Sequence, residues 1–104
     1  MKKKDAKNII IEAIKSNIDL SNEQKNIILE NPDDFAIIGV HDNIDSLDLV
    51  SILVDVESQV SDMYGTTIML SSDKAMSQQN SPFRDVKSLV LFLTEEFENA
   101  KRSN

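Results

Sequence analysis

The sequence predicts an all-α protein, a bundle of three main helices with one or two short helices added. Three stretches place apolar side chains three and four residues apart, which is the period of an amphipathic helix and not of a strand. The chain has only two glycines and two prolines, so few positions interrupt these stretches. Its 104 residues have the length of one domain, and we expect residues 1–104 to form it.

The N-terminal third predicts one main helix and one short helix. The main helix is expected over residues 5–17, with Asp5 as its N-cap, and residues 1–4 are expected to fray. Its apolar positions follow helical spacing: Ile9, Ile10, Ala13 and Ile14. The short helix begins after Ser21, because Ser21 and Gln24 have the spacing of a capping box. Asn31-Pro32 ends it, since the residue before a proline disfavours helical backbone.

The second main helix is predicted from Ser46 to about Val60. Its apolar residues fall into two sets, one formed by Leu47, Val50, Leu53 and Val54, the other by Leu49, Ile52, Val56 and Val60. More than half of the helix circumference is therefore apolar. We expect one stripe to face the core and the second to remain exposed as a candidate docking surface.

The C-terminal third predicts a break, a short helix and the third main helix. Gly65 is expected to end the preceding helix in the left-handed conformation, and Ile68, Met69 and Leu70 are expected to return the chain to the core. A short helix is predicted from Ser71 to about Gln79. The last helix is expected to start with Ser81 as N-cap and Pro82 in its first position, and residues 99–104 are expected to fray.

Charge and composition exclude several classes of function. The net charge of −7 argues against nucleic acid as a partner, because such a partner requires a basic face. The chain has no cysteine, which excludes disulfides and a cysteine nucleophile. Neither a signal-peptide core nor an apolar membrane span is recognisable, so we expect no membrane insertion and a cytoplasmic location.

Asp45-Ser46-Leu47 opens the second main helix within an unusually acidic segment. From Asn26 to Asp73 the chain has ten acidic residues and neither Lys nor Arg. The closing segment then reads Pro82-Phe83-Arg84-Asp85-Val86-Lys87-Ser88-Leu89. In this order, the loop from Phe35, the Asp-Ser-Leu helix and the closing helix resemble an acyl carrier protein, and the resemblance covers nearly the whole chain.

The resemblance implies a covalent cofactor and no enzymatic activity of the chain itself. Ser46, flanked by Asp45 and Leu47, would accept 4'-phosphopantetheine from coenzyme A, and a separate phosphopantetheinyl transferase would supply the catalysis and the metal. Acyl intermediates would then travel as thioesters on the arm, in fatty-acid, lipid or polyketide-type biosynthesis. Asp42-Asn43-Ile44 replaces the glycine common before the motif. The loop between the first helix and Ser46 is longer than in a minimal carrier, and the extra helix within segment 22–34, from Asn22 to Glu30, has no obvious counterpart. Those two differences suggest a specialised carrier.

The resemblance also implies a partner-binding face on the Ser46 helix. Asp48, Asp55 and Glu57 would meet Arg and Lys on partner enzymes, with Val50 and Val54 as apolar contacts. The expected partners are the transferase and acyl-loading, acyl-transfer or condensing enzymes with basic patches. A monomer fits such a shuttling role.

Several alternatives remain open at this point. The chain could be an aminoacyl or peptidyl carrier of a nonribosomal or cell-envelope pathway, or a helical adaptor that is never modified and in which Ser46 is only an N-cap. A triad of Ser46, His41 and Asp45 lacks the strand-to-helix turn and the oxyanion hole of a hydrolase. Asp42, Asp45 and Asp48 lack the glycine and terminal glutamate of a calcium loop. We therefore expect no catalytic residue and no metal site.

Overall fold

The computed structural model describes residues 1–37, 46–70 and 84–102, and it confirms the all-α prediction. Four helices form the described part of the chain: α1 over Lys3–Asn17, α2 over Asn22–Glu30, α3 over Ser46–Tyr64 and α4 over Val86–Arg102. A short 3-10 turn over Pro32–Asp34 follows α2. The short helix predicted from Ser71 to Gln79 lies outside the described residues.

Helix α1 holds the three long helices together, because it packs against both α3 and α4. It buries five apolar residues in the core: Ala6, Ile9, Ile10, Ala13 and Ile14. Two of these are alanines, whose small side chains allow neighbouring helices to approach closely. The helical spacing predicted for this segment is therefore confirmed.

The start of α1 differs from the prediction. The N-cap is Lys2 and not Asp5, and the backbone N–H of Ala6 donates to the carbonyl of Lys2 at 3.0 Å. Asp5 lies inside the first turn, where a negative charge interacts favourably with the partial positive charge of the helix N-terminus. Lys3 and Lys4, expected in a frayed end, therefore belong to the helix.

Helix α2 follows the capping-box prediction. The N–H of Gln24 donates to Ser21 Oγ at 3.2 Å, and the N–H of Ser21 donates to Gln24 Oε1 at 2.8 Å. The helix ends at Glu30, directly before Asn31-Pro32. Ile28 is its one buried residue, so within the described residues α2 contributes one side chain to the core.

Helix α3 continues one turn beyond the predicted end near Val60. It ends at Tyr64, and Gly65 follows with the predicted left-handed backbone at φ 65°. The added turn brings the Tyr64 ring edge-on to Phe97 of α4, with 5.1 Å between ring centroids. After Gly65, Ile68 and Leu70 are buried as expected, whereas the prediction was wrong for Met69, whose side chain is 63% exposed.

Helix α4 begins at Val86, later than the predicted start at Ser81-Pro82. Asp85 has the role of its N-cap, because its Oδ1 accepts a hydrogen bond from the Ser88 N–H at 2.8 Å. The carbonyl of Phe35 also accepts from the Val86 N–H at 3.1 Å. These bonds satisfy N–H groups of the first turn, which a helix leaves without internal partners. Ser81 and Pro82 themselves lie outside the described residues.

The C-terminal end of α4 is longer than predicted. Residues 99–102, expected in a frayed tail, are helical up to Arg102. The Lys101 ammonium lies over the Phe97 ring at 5.3 Å from its centroid, and Ala100 packs against the core. A cation over an aromatic face is an attractive contact, and it lies within the turn where the sequence suggested fraying.

Candidate functional site

Ser46 is the first residue of α3. The N–H groups of a first helical turn have no acceptors within the helix, and together they carry a partial positive charge. Asp48 lies in the same turn. The fold thus places Ser46 at a helix end that attracts negative charge, whereas Asp45 lies outside the described residues.

The apolar residues of α3 divide into a buried and an exposed group. The buried group faces the core and comprises Leu49, Ile52, Leu53, Val56 and Val60. The exposed group comprises Leu47, Val50 and Val54, which are 80%, 39% and 53% exposed, and Met63 near the end of the helix, which is 62% exposed. We call Leu47, Val50 and Val54 the outer stripe. The prediction of one core stripe and one exposed stripe is confirmed, except that Leu53 belongs to the core.

Helical geometry puts acidic residues on both sides of the outer stripe. At about 3.6 residues per turn, Glu57 lies on one side of Val54, and Asp48, Asp55 and Asp62 lie on the other. Helix α3 has no Lys or Arg, so no cation on the helix itself offsets these carboxylates. The face is therefore apolar at its centre and negative at its edges.

The four acids of α3 differ in their surroundings. Asp55 is half-buried, and its carboxylate accepts hydrogen bonds from Asn17 Nδ2 at 3.3 Å and from Gln59 Nε2 at 3.5 Å. Because Asn17 ends α1, Asp55 connects α1 to α3 and is turned toward the bundle. Asp48 and Glu57 are half-buried, while Asp62 is exposed. Asp62 was not among the acids predicted for the partner-binding face, although its spacing from Val54 could have indicated that it lies beside the outer stripe.

Three serines extend the polar part of the same face. Ser51, Ser58 and Ser61 are exposed on α3 and surround the outer stripe. Their hydroxyls have no charge, so the face is polar but not acidic at these positions. They also provide serines on the same helix with which Ser46 can be compared.

Metal-binding and membrane-spanning features are absent from the part of the chain that the structure describes. No group of His, Asp and Glu side chains there could hold a metal ion. No helix there has the length and apolar character needed to cross a bilayer. His41, Asp42 and Asp45, which were considered for a triad or a cation loop, lie outside this part.

Comparison with known proteins gives no further guidance. No protein-family model, no curated protein and no solved structure matches this chain.

Proposed function

We propose that this chain is an acyl carrier protein, modified with 4'-phosphopantetheine on Ser46. The observation that carries the proposal is the position of Ser46 as the first residue of α3, directly before Leu47, whose side chain is 80% exposed. A transferase must reach the serine from outside, and the side chain of the neighbouring Leu47 is open to solvent. The chain lacks cysteine, so the arm would supply its reactive thiol.

The residues at this helix end fit a phosphodiester. Backbone N–H groups and the helix dipole stabilise an anion at a helix N-terminus. In the proposed reaction, Ser46 Oγ forms a bond to the phosphorus that bears the pantetheine of coenzyme A. The bond from that phosphorus to the departing phosphate oxygen breaks, and adenosine 3',5'-bisphosphate leaves. The transferase takes the hydroxyl proton and supplies the metal, while this chain holds the serine in place.

The outer stripe would bind the partner enzymes. Leu47, Val50 and Val54 would be covered by apolar residues of the partner, and the flanking acids would face its Lys and Arg. Complementary charges at the edge of an interface mainly raise the association rate and add salt dependence. Asp55 accepts a hydrogen bond from Asn17, whereas Asp62 is exposed, so we add Asp62 to the acids of this face and give it a larger share of the role than Asp55.

The proposed carrier is a specialised one of fatty-acid, lipid or polyketide-type biosynthesis, since α2 is an addition to the minimal arrangement. Its partners would be the transferase and acyl-loading, acyl-transfer or condensing enzymes with basic patches. An aminoacyl or peptidyl carrier would use the same serine and the same arm. The enzyme that loads the modified protein would distinguish these cargoes.

The first test is modification in vitro. The unmodified protein is incubated with coenzyme A, Mg²⁺ and a broad-specificity phosphopantetheinyl transferase, and its intact mass is measured. We expect wild type to gain one phosphopantetheine and Ser46→Ala to gain none. Ser51→Ala and Ser58→Ala, which change exposed serines of the same helix, are the matched controls and should be modified like wild type. The proposal would be refuted if Ser46→Ala were modified, or if neither wild type nor any variant were modified by several transferases.

The exposure of the outer stripe also supports a second candidate, an adaptor that is never modified. This function would require the same apolar and acidic face but no arm. Pull-down with wild type and Val50→Lys would test it, because a cation in the middle of the stripe removes an apolar contact and repels basic partners, so their capture should be lost. Capture that is lost in Val50→Lys and unchanged in Ser46→Ala would favour the adaptor.

A further inference from the structure

Helix α2 is weakly anchored for an ordered helix. Ile28 is its one buried residue, while Ile27 is 37% and Leu29 is 78% exposed. In the described part of the chain, its packing partner is the short 3-10 turn that follows it. A helix with so few buried contacts can shift at small cost, so its neighbouring surfaces can adapt to a ligand.

A cleft of about 480 Å³ lies between the end of α1 and this helix. Its volume falls within the range of about 300–1,000 Å³ that is typical of small-molecule sites. The apolar part of its lining consists of Ile18, Leu20, Ile28 and Leu29. All four are branched aliphatic residues and none is aromatic, so the lining suits a flexible hydrocarbon chain better than a flat ring.

The charged part of the lining is more basic than the chain as a whole. Lys15 and Lys25 line the cleft together with a single acid, Asp19. Among the described residues, the ion pairs join Lys7 to Asp33 and Arg84 to Asp85. Neither pair involves Lys15 or Lys25, so these two lysines can interact with other partners. In a chain with a net charge of −7, two cations beside an aliphatic surface favour a ligand with an anionic end.

From this combination we infer that the cleft binds an aliphatic carboxylate of medium length. The hydrocarbon chain lies against Leu20, Ile28 and Leu29, and the carboxylate is placed near Lys15 and Lys25. This site is formed by α1 and α2 and does not depend on an arm at Ser46. Its failure would therefore leave the proposed carrier function untouched, and the reverse also holds.

The experiment is an NMR titration of the unmodified full chain, with ¹³C-labelled Ile and Leu methyl groups. Decanoate is added below its micelle concentration, beside acetate and decyltrimethylammonium at the same concentrations. We expect decanoate to shift the methyl signals of Ile18, Leu20, Ile28 and Leu29 with saturation. Acetate lacks the chain and decyltrimethylammonium has the opposite charge, so both should bind at least about tenfold more weakly.

Two single variants locate the site, and a double variant tests the role of its two lysines. Leu29→Asn should weaken decanoate binding about tenfold, and because Leu29 is 78% exposed the fold should be retained, as circular dichroism would verify. Ile27→Asn, on the same helix but outside this cleft, is the matched control and should bind like wild type. The double variant Lys15→Gln/Lys25→Gln should bind about fivefold more weakly, as expected for two exposed ion pairs.

Three results would overturn the inference. The first is equal binding of decanoate and decyltrimethylammonium, which would remove the role of the lysines. The second is a larger loss in Ile27→Asn than in Leu29→Asn, which would place binding elsewhere on α2. The third is the absence of saturable shifts at the four methyl-bearing residues.

Discussion

The orientation of α3 can be tested with two valines that lie two residues apart. Val56 is fully buried, whereas Val54 is 53% exposed in the outer stripe. Val56→Ala and Val54→Ala delete the same two methyl groups from the same helix. The chemical change is therefore identical, and the variants differ only in the surroundings of the side chain.

The structure gives the expected size of the difference. Removing two buried methyl groups costs about 1.6 kcal/mol of transfer free energy, and the cavity left in the core raises the cost for Val56→Ala to about 2 kcal/mol. In Val54→Ala roughly half of that surface is already in water, so the transfer cost is at most about 0.8 kcal/mol. Alanine improves helix propensity equally in both variants. The difference between them should be at least about 1.2 kcal/mol, or about 6 °C in Tm.

Urea unfolding followed by circular dichroism at neutral pH measures this difference, provided that the slope of the transition is the same for both variants. Val54→Ala should remain within about 0.5 kcal/mol of wild type. Equal destabilisation of the two variants, or a larger loss in Val54→Ala, would refute the assignment of the outer stripe. In that case the partner face proposed for α3 would have to be abandoned.

Two further predictions concern helix ends. Burial raises the pKa of Asp85, but the hydrogen bonds from Ser88 and the charge of Arg84 outweigh this effect, so the pKa lies below its ordinary value of 3.8. Ionised Asp85 therefore stabilises the fold at pH values above 3.8, and this stabilisation is lost as the pH falls through the lowered pKa. Asp85→Ala should lower the free energy of unfolding by about 1 kcal/mol at pH 7 and by less in acid, as measured by urea unfolding at both pH values. Asp19→Ala, which changes an exposed acid, is the control and should cost little. If the difference in stability between wild type and Asp85→Ala is as large in acid as at pH 7, the role given to Asp85 is wrong. Gly65→Ala should lower the free energy of unfolding by about 1 kcal/mol, because alanine disfavours the φ of +65° at this position. No atom obstructs a Cβ there, so no clash adds to this cost, and Gly65→Asn should cost less. A Tm of Gly65→Ala equal to or above that of wild type in thermal unfolding would contradict the left-handed turn.

Local patterns in the sequence were sufficient for several elements. The capping box at Ser21 predicted the start of α2, and the glycine at position 65 predicted the left-handed turn that ends α3. Both depend on hydrogen bonds or backbone angles within a few residues, so no distant contact is needed to determine them. The position of Ser46 at the start of α3 was predicted on the same basis.

Both ends of α4 were predicted wrongly, because they depend on contacts that the helical pattern does not show. Val86 begins α4 because Phe35, distant in sequence, accepts its N–H and Asp85 caps the first turn. Ser81 and Pro82 had predicted an earlier start. The later end has a local cause, because the Lys101 ammonium lies over the ring of Phe97, four residues earlier in the same helix.

The sequence by itself determined that α3 would carry two apolar stripes beside a set of acids without a basic side chain, since spacing and composition are properties of the chain alone. Only the tertiary structure decided which stripe is buried, because that depends on which face α1 covers. Packing against α1 took Leu53 into the core and left Leu47, Val50 and Val54 exposed. It also turned Asp55 toward Asn17, which no local pattern in α3 could indicate.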